Sequence, residues 1–346
     1  MNKRTTEMTT VAIDLAKNVF QVAGENTAGE VIFEKRLSSR ERFWTFLRGL
    51  EPGTEVLMEA GPGAQSWARM LLEQGMAVQI FPARRVAEHR SGSKNDRKDC
   101  LAILRAGRDR SIEPVPVKSV EALSLQALHR VRSGYQRRRT AIGNQIRGLL
   151  VEHGVVMAQG PAALRAKVDR VLEDATVPIP DLLRELIAEL WAEWQTLSAR
   201  IDAVTDRIKQ TVTSNATARR LMTIRGFGPI LSSALLCKET ATDRFANGRR
   251  FAAYFGVVPK QNSSGEKVRL GKMTRAGDAY IRSLAIQGAQ SVLQRVPADA
   301  EGRDNRRLLR WKQRHGTKGA AVRLANRNLR IAWALLRDEE AVYRPI

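Results

Sequence analysis

TVAIDLA, residues 10–16, is an apolar run of strand length broken by one acid, Asp14, and it reads as a buried strand. After a glycine-containing turn, EVIFEKRL (30–37) alternates apolar and polar residues as a half-buried strand does. TEVLMEA (54–60) is a second buried strand, ending on Glu59, and AVQIFPA (77–83) is a third, closed by Pro82. Between them RERFWTFLRGL is a short amphipathic helix and SWARMLLEQG is a helix that stops at Gly75. Residues 95–107 read as a further helix, with Leu101, Ile103 and Leu104 as its apolar contribution. Strands alternating with helices predict an α/β sheet with crossover helices over residues 9–118.

The rest of the chain is helical. Residues 119–153 form a long amphipathic pattern that carries RVRSGYQRRR at 130–139. After PIP at 178–180, Leu183, Ile187, Leu190, Trp194, Leu197, Ile201, Val204 and Ile208 recur at alternating spacings of four and three. That is a heptad seam, the pattern of a coiled coil; packing against the preceding long helix of the same chain gives the same spacing. From about residue 216 glycine and arginine mix into short apolar segments, and residues 303–330 form a tail dense in arginine. The expected class is therefore α/β plus all-α, with a helical coiled-coil middle at 119–215 and a mainly helical C-terminal domain at 216–346.

Charge sets the function class. Lys and Arg total 58 against 36 acids, a net charge of +22, in a chain that is 43% hydrophobic. A folded protein this basic implies a polyanionic partner, because each phosphate it neutralises releases counterions. No apolar run is long enough to span a membrane, and the polar start MNKRTTEMTT is not a signal peptide. Cys100 and Cys237 lie far apart without CxxC or Cys/His spacing, so neither zinc nor a disulfide framework is expected. The expected setting is cytosolic and reduced.

Four acids stand where an acid is expensive or paired. Asp14 and Glu59 sit in apolar strands, where an ionised carboxylate needs a partner or a metal. Asp96 and Asp99, at i and i+3, share a helix face, with Lys94, Arg97 and Lys98 around them. Together the four could hold two Mg²⁺ or Mn²⁺ ions about 3.5–4 Å apart, the separation suited to phosphodiester displacement, with the basic flanks gripping phosphates. Taken singly, Asp14 could make a buried hydrogen bond, Glu59 could cap the loop at Gly61, Asp96 could be the helix N-cap, and Asp99 could favour the positive end of the helix.

AIDLAKN around Asp14, MEAG around Glu59 and KNDRKDCLAI around Asp96 and Asp99 resemble the DEDD-type insertion-sequence transposases. This is the IS-one-ten family, most like its IS-eleven-eleven group, which is related to the Piv invertase. The resemblance implies an N-terminal domain like RuvC, with an RNase H-like fold, whose four acids bind divalent metal. A second stretch, FAAYFGVVPKQNSSGEKVRLGKMTRAGDAYIRSLAI (251–286), is similar to the C-terminal transposase domain of that family. There the serine before the glycine is a nucleophile, here Ser264, with Ser263 beside it. On chemistry alone SSG in a polar segment reads as a turn. With a nucleophilic Ser264, the neighbouring Lys267, Arg269, Lys272 and Arg275 would hold the phosphate. The resemblance further implies double-stranded DNA substrates (element ends and target site), a bridge RNA that chooses the target, and a homo-oligomer, dimer or tetramer.

LMTIRGFGPILSSALL (221–236) reads as a helix, a glycine turn and a second helix, similar to a helix-hairpin-helix. Gly226 and Gly228 would let backbone amides meet a phosphate; an ordinary helical hairpin gives the same glycine pattern. Two rival readings stay open. One is a metal-dependent junction nuclease that hydrolyses with water and uses Ser264 only as a turn. The other is a non-catalytic nucleic-acid-binding protein whose acids form salt bridges.

Overall fold

The computed structural model describes residues 7–92, 95–238, 242–262 and 269–344. The chain divides into two compact units, Met1–Ser119 and Val120–Ile346.

The first unit runs β1 (Thr10–Leu15), β2 (Phe20–Glu25), β3 (Val31–Leu37), α1 (Arg40–Arg48), β4 (Glu55–Glu59), α2 (Ala64–Glu73), β5 (Ala77–Phe81), α3 (Ala83–Glu88) and α4 (Asp96–Arg108). Its five strands are ordered β3-β2-β1-β4-β5. The first three are antiparallel neighbours, and β4 and β5 run parallel to β1. This mixed sheet is consistent with an RNase H-like domain. The strand β2 corrects the sequence reading, which gave only a turn there. FQVAGE is short and runs into the turn-rich GENTAG, so its signal is masked, yet Phe20, Val22 and Ala23 are buried. The six-residue α3 also went unread.

Because side chains alternate across a strand, the sheet feeds two cores. Val11, Ile13, Val22, Val56, Met58 and Ile80 join Phe43 and Leu47 of α1 and Ala68 and Leu71 of α2. Phe20 stacks on Phe43 there, with ring centroids 4.0 Å apart, and Trp67 meets both rings edge-on. On the other face Ala12, Ala23, Leu57 and Phe81 pack with Cys100, Ile103 and Leu104 of α4. Small residues on β1 and β2 let α4 lie close to the sheet.

The second unit comprises α5 (Val120–Val151), α6 (Pro161–Glu173), α7 (Asp181–Ser214), α8 (Ala216–Met222), α9 (Pro229–Leu236), α10 (Gly248–Tyr254), β6 (Pro259–Gln261), β7 (Leu270–Met273), α11 (Ala279–Arg295) and α12 (Arg303–Arg337). The seam of α7 buries Ile187, Trp194, Leu197, Ile201, Val204 and Ile208, and also Trp191, Ser198 and Val212; Leu183 and Leu190 are half-buried. Within the same chain it packs against Ile142, Ile146 and Leu150 of α5 and Leu164, Val168 and Val171 of α6. Arg132 of α5 donates to Thr205 Oγ1 of α7 at 2.8 Å, and Trp191 donates its indole N–H to Asp169 of α6 at 2.6 Å.

The arginine-dense stretch 303–330 is not a tail. It forms most of α12, whose Leu308, Ala320, Leu324 and Leu329 lie in the core with α9, α10 and α11. Alanines and leucines at helical spacing supply the buried face, and the arginines take the remainder. Non-helical backbone at Gly316 (φ 65°, ψ 169°) kinks the helix. Among the described residues no helix is long and apolar enough to cross a membrane. Cys100 and Cys237 are buried free thiols.

Candidate active site

The strand register brings the first two acids together. β1 and β4 pair in parallel from Thr10 opposite Glu55 to Ile13 opposite Met58. One residue further along both strands are Asp14 and Glu59, on neighbouring strands about 4.8 Å apart. Period two places Asp14 on the face of Ala12 and Glu59 on the face of Leu57, and both of those pack under α4. The two carboxylates therefore emerge at the C-terminal ends of adjacent parallel strands, on the side that α4 covers.

The first turn of α4 carries the other pair. Asn95, not Asp96, is the N-cap: its side chain accepts from the Lys98 backbone N–H at 2.8 Å. Asp96 is the first helical residue and is exposed, whereas Asp99 is buried. Asp99 forms an ion pair with Arg90, which follows α3; their side chains are 8% and 23% exposed. Cys100 lies directly beneath, its Sγ donating to the Ala12 carbonyl at 3.2 Å. Burial pushes that thiol well above its ordinary pKa, and the nearby Asp14 charge pushes the same way. A thiol so shifted is inert, but the Asp14 influence ties the start of α4 to the end of β1.

Carboxylate oxygens are the donors a hard divalent cation takes, so the chemistry of this set fits Mg²⁺ or Mn²⁺. Among the described residues, no three His, Cys, Asp or Glu side chains stand close enough to hold an ion. Asp99 in particular is engaged by Arg90, a residue the sequence reading missed. Nothing marks an arginine nine positions upstream as its partner, because the pairing depends on how α3 turns back toward α4.

The expected phosphate-gripping residues of this unit differ in availability. Arg97 forks onto Glu34 of β3, with Nη2 to Oε1 at 2.9 Å, and this hydrogen-bonded pairing holds the Glu34 carboxyl below its ordinary pKa. Lys98 is half-exposed. Lys94 lies outside the described residues.

In the second unit, β6 and β7 form an antiparallel hairpin, with Gln261 opposite Leu270 and the Asn262 N–H donating to the Arg269 carbonyl at 2.9 Å. Ser263, Ser264 and Lys267 fall between these strands in sequence and lie outside the described residues. Arg269, Lys272 and Arg275 on the returning side are exposed.

The two glycines of the 221–236 turn do different jobs. Gly226 has φ 93° and lies against α11, where an added Cβ would sit 2.9 Å from the Gly288 carbonyl oxygen. Gly228 caps α9 with extended backbone (φ −96°, ψ 178°), Pro229 follows, and no atom lies within 4 Å of where its Cβ would be. Gly226 serves a close helix–helix approach, which leaves Gly228 and the start of α9 as the open part of the turn.

Beside that turn is a buried network that sequence gave no hint of. His129 of α5 is 3% exposed; its Nδ1 is 3.0 Å from the Tyr280 hydroxyl and its Nε2 3.0 Å from Ser233 Oγ. Ser233 donates to the Pro229 carbonyl at 2.6 Å, so its lone pair receives Nε2–H and Nδ1 accepts from Tyr280. Burial, and then Arg132 nearby, lower the His129 pKa to about 4. The imidazole is a neutral tie between α5, α9 and α11.

Comparison with known proteins covers nearly the whole chain. A DEDD-type family model described as Transposase matches residues 11–154, and one described as Transposase IS116/IS110/IS902 family matches residues 218–303. A probable family 20 transposase of Pseudomonas aeruginosa is 40% identical over 97% of this chain and 98% of its own length. The transposase for insertion sequence element IS1111A of Coxiella burnetii is 31% identical, covering 95% of this chain and 90% of its own. The transposase for insertion sequence element IS1328 of Yersinia enterocolitica is also 31% identical, covering 95% and 96%. Acids paired at the ends of parallel strands thus sit inside the part matched as a DEDD transposase, and the chain belongs to the IS110 family of transposases.

Proposed function

We propose that this transposase cuts and rejoins DNA through a serine-linked intermediate, with Asp14, Glu59, Asp96 and Asp99 as the acidic set and Ser264 as nucleophile. The observation that carries the reading is the in-register pairing that sets Asp14 beside Glu59 on the face covered by α4. Two divalent ions held by these acids would supply charge stabilisation for the attacking and leaving oxygens.

The chain's own chemistry balances without an energy cofactor. Ser264 Oγ attacks phosphorus, its proton passing to a carboxylate of the acidic set. The bond from phosphorus to the leaving strand oxygen breaks, and that oxygen takes up a proton. The phosphodiester is conserved as a phosphoserine ester. A strand hydroxyl then attacks the ester, rejoining DNA and restoring the serine. Arg269, Lys272 and Arg275, with Lys267, hold the phosphate; Gly228 at the start of α9 offers backbone amides to a neighbouring one. The partners in this reading are the element ends and target duplex, a bridge RNA and further copies of the chain, in which acids and Ser264 meet within one subunit or across two. A net charge of +22 supports nucleic-acid partners of both kinds.

The test combines purified protein with Mg²⁺, a plasmid carrying the joined element ends, an insertion site, and RNA transcribed from the flanking non-coding region. The expected product is protein covalently attached to DNA, absent from Ser264→Ala and from Asp14→Ala. Free-ended cleavage that survives Ser264→Ala would refute the covalent step and favour hydrolysis by water. Salt-sensitive binding with no cleavage in any variant would favour a purely binding role.

A further inference from the structure

A concavity of the second unit is lined mostly by residues not discussed so far. A groove of about 1520 Å³ runs between the β6–β7 hairpin, the start of α10 and α12 on both sides of the Gly316 kink. Five arginines line it, Arg249, Arg307, Arg323, Arg327 and Arg330, and no acid does among the described residues. Asp304, buried just behind, takes Arg327 on both oxygens, with contacts of 3.0–3.3 Å, and lies 3.6 Å from Arg307. Arg249, Arg323 and Arg330 are exposed and join no ion pair among the described residues. On α12 the spacing 323, 327, 330 is one helix face, so paired and unpaired guanidinium groups form one row. The three guanidinium groups of this groove that Asp304 does not neutralise are a site for an anion.

The rest of the lining says which kind. Trp311, Trp333 and Tyr343 contribute aromatic surface. Trp333 is committed elsewhere: its indole N–H donates to the Thr242 carbonyl at 3.0 Å and Arg337 lies over its ring. Trp311 is half-buried and carries no such partner among the described residues. Guanidinium groups alternating with an aromatic face suit a chain of phosphates that also offers flat bases. Bases in a duplex are stacked on one another, so a side chain inside a groove meets a base face only in an unpaired strand.

We propose that this groove seats an unpaired nucleic-acid strand, with phosphates on Arg249, Arg323 and Arg330 and a base on Trp311. One wall is the hairpin whose strands leave at Gln261 and return at Leu270, with Ser264 between them in sequence. On the strand-transfer reading proposed above, a strand in the groove lies against the hairpin strands that flank Ser264 in sequence. That link to Ser264 rests on that reading; binding of an unpaired strand does not.

The experiment uses the full chain with three probes: a twelve-nucleotide dT strand carrying one 2-aminopurine, the matching rU strand, and a duplex of equal length. The single strands should bind with quenched 2-aminopurine fluorescence. Trp311→Ala should remove the quench and weaken binding by about fivefold to a hundredfold, while Trp311→Phe keeps the ring and restores both. Arg323→Ala with Arg330→Ala should lower the slope of log affinity against log salt by about 1.4, from two phosphate contacts at about 0.7 each. Arg42→Ala, on α1, should leave it unchanged. Preference for dT identifies a DNA strand and preference for rU a guide strand; either supports the groove. Tighter binding of duplex, an unaltered quench in folded Trp311→Ala, or an equal slope loss in Arg42→Ala would overturn it. The adduct assay separates the two proposals. A folded Trp311→Ala that binds normally while wild type forms the Ser264 adduct sinks the groove alone, and a quenched strand with no adduct sinks the serine alone.

Discussion

Gly226→Ala separates packing from phosphate binding at the helical turn. At φ 93° an L side chain is strained, at about 1–2 kcal/mol. The added Cβ would also sit 2.9 Å from the Gly288 oxygen, 3.0 Å from its carbonyl carbon and 3.2 Å from Val292 Cγ2. Two of those neighbours are backbone of α11 and cannot rotate away, so overpacking adds about 1–3 kcal/mol. The sum, about 3 kcal/mol, lowers the melting temperature by roughly 6–12 °C, since 1 kcal/mol is about 2–4 °C at this domain size. The control is Gly134→Ala, in the middle of α5 with nothing within 4 Å of its Cβ; there the helix gains about 0.5–1 kcal/mol. Scanning calorimetry or circular dichroism melts on both variants, with the salt dependence of DNA binding measured below the transition, complete the test. Gly226→Ala should melt early and keep the wild-type salt slope. A melt within about 2 °C of wild type, or a slope reduced by about one phosphate, would refute the packing account.

Two further perturbations test the buried charges. Removing Arg90 strands the Asp99 carboxylate, which is 8% exposed; breaking a buried pair costs about 3–5 kcal/mol, reduced to about 2 because the Arg90 side chain is partly open to water. If a cation and the guanidinium compete for the same oxygen, Mg²⁺ should raise the melting temperature of Arg90→Ala more than that of wild type, and equal shifts would remove Asp99 from the metal set. For His129 the folded pKa of about 4 lies below the ordinary 6.5, so the fold prefers the neutral ring. The resulting stability is complete above pH 6.5 and is lost as pH falls toward 4, up to about 3 kcal/mol. The drop in melting temperature between pH 7 and pH 4.5 should be smaller in His129→Gln than in wild type, and identical drops would show that this imidazole does not titrate against folding.

What could be read in the sequence follows from where the information lies. Asp14 and Glu59 were legible because a carboxylate inside an apolar strand contradicts its surroundings, and that contradiction is local. The α7 seam was legible because burial at spacings of three and four needs no knowledge of the partner, although whether α5 or a second copy covers it could not be read from α7. The strand β2 was not legible, since its burial comes from lying between β1 and β3 and its own six residues are followed by turn formers. Arg90 with Asp99, His129 with Ser233 and Tyr280, and the α12 arginines facing a hairpin some fifty residues upstream are all pairings made by tertiary approach.

Asp14 and Glu59 show how fold and site share one determinant. The in-phase parallel register of β1 and β4 buries Ala12 and Leu57 under α4, and period two then carries the acids to that same face. A one-residue slip of β1 would turn Asp14 into the opposite core, against Phe20, Phe43 and Leu71, where unpaired charge is prohibitive, and the same slip of β4 would do this to Glu59. The apolar residues that fix the register therefore also fix the acids. A substitution such as Ile13→Asp, which sets charge on the wrong face, should abolish folding of this unit outright, whereas Asp14→Ala should leave the fold standing and remove activity alone.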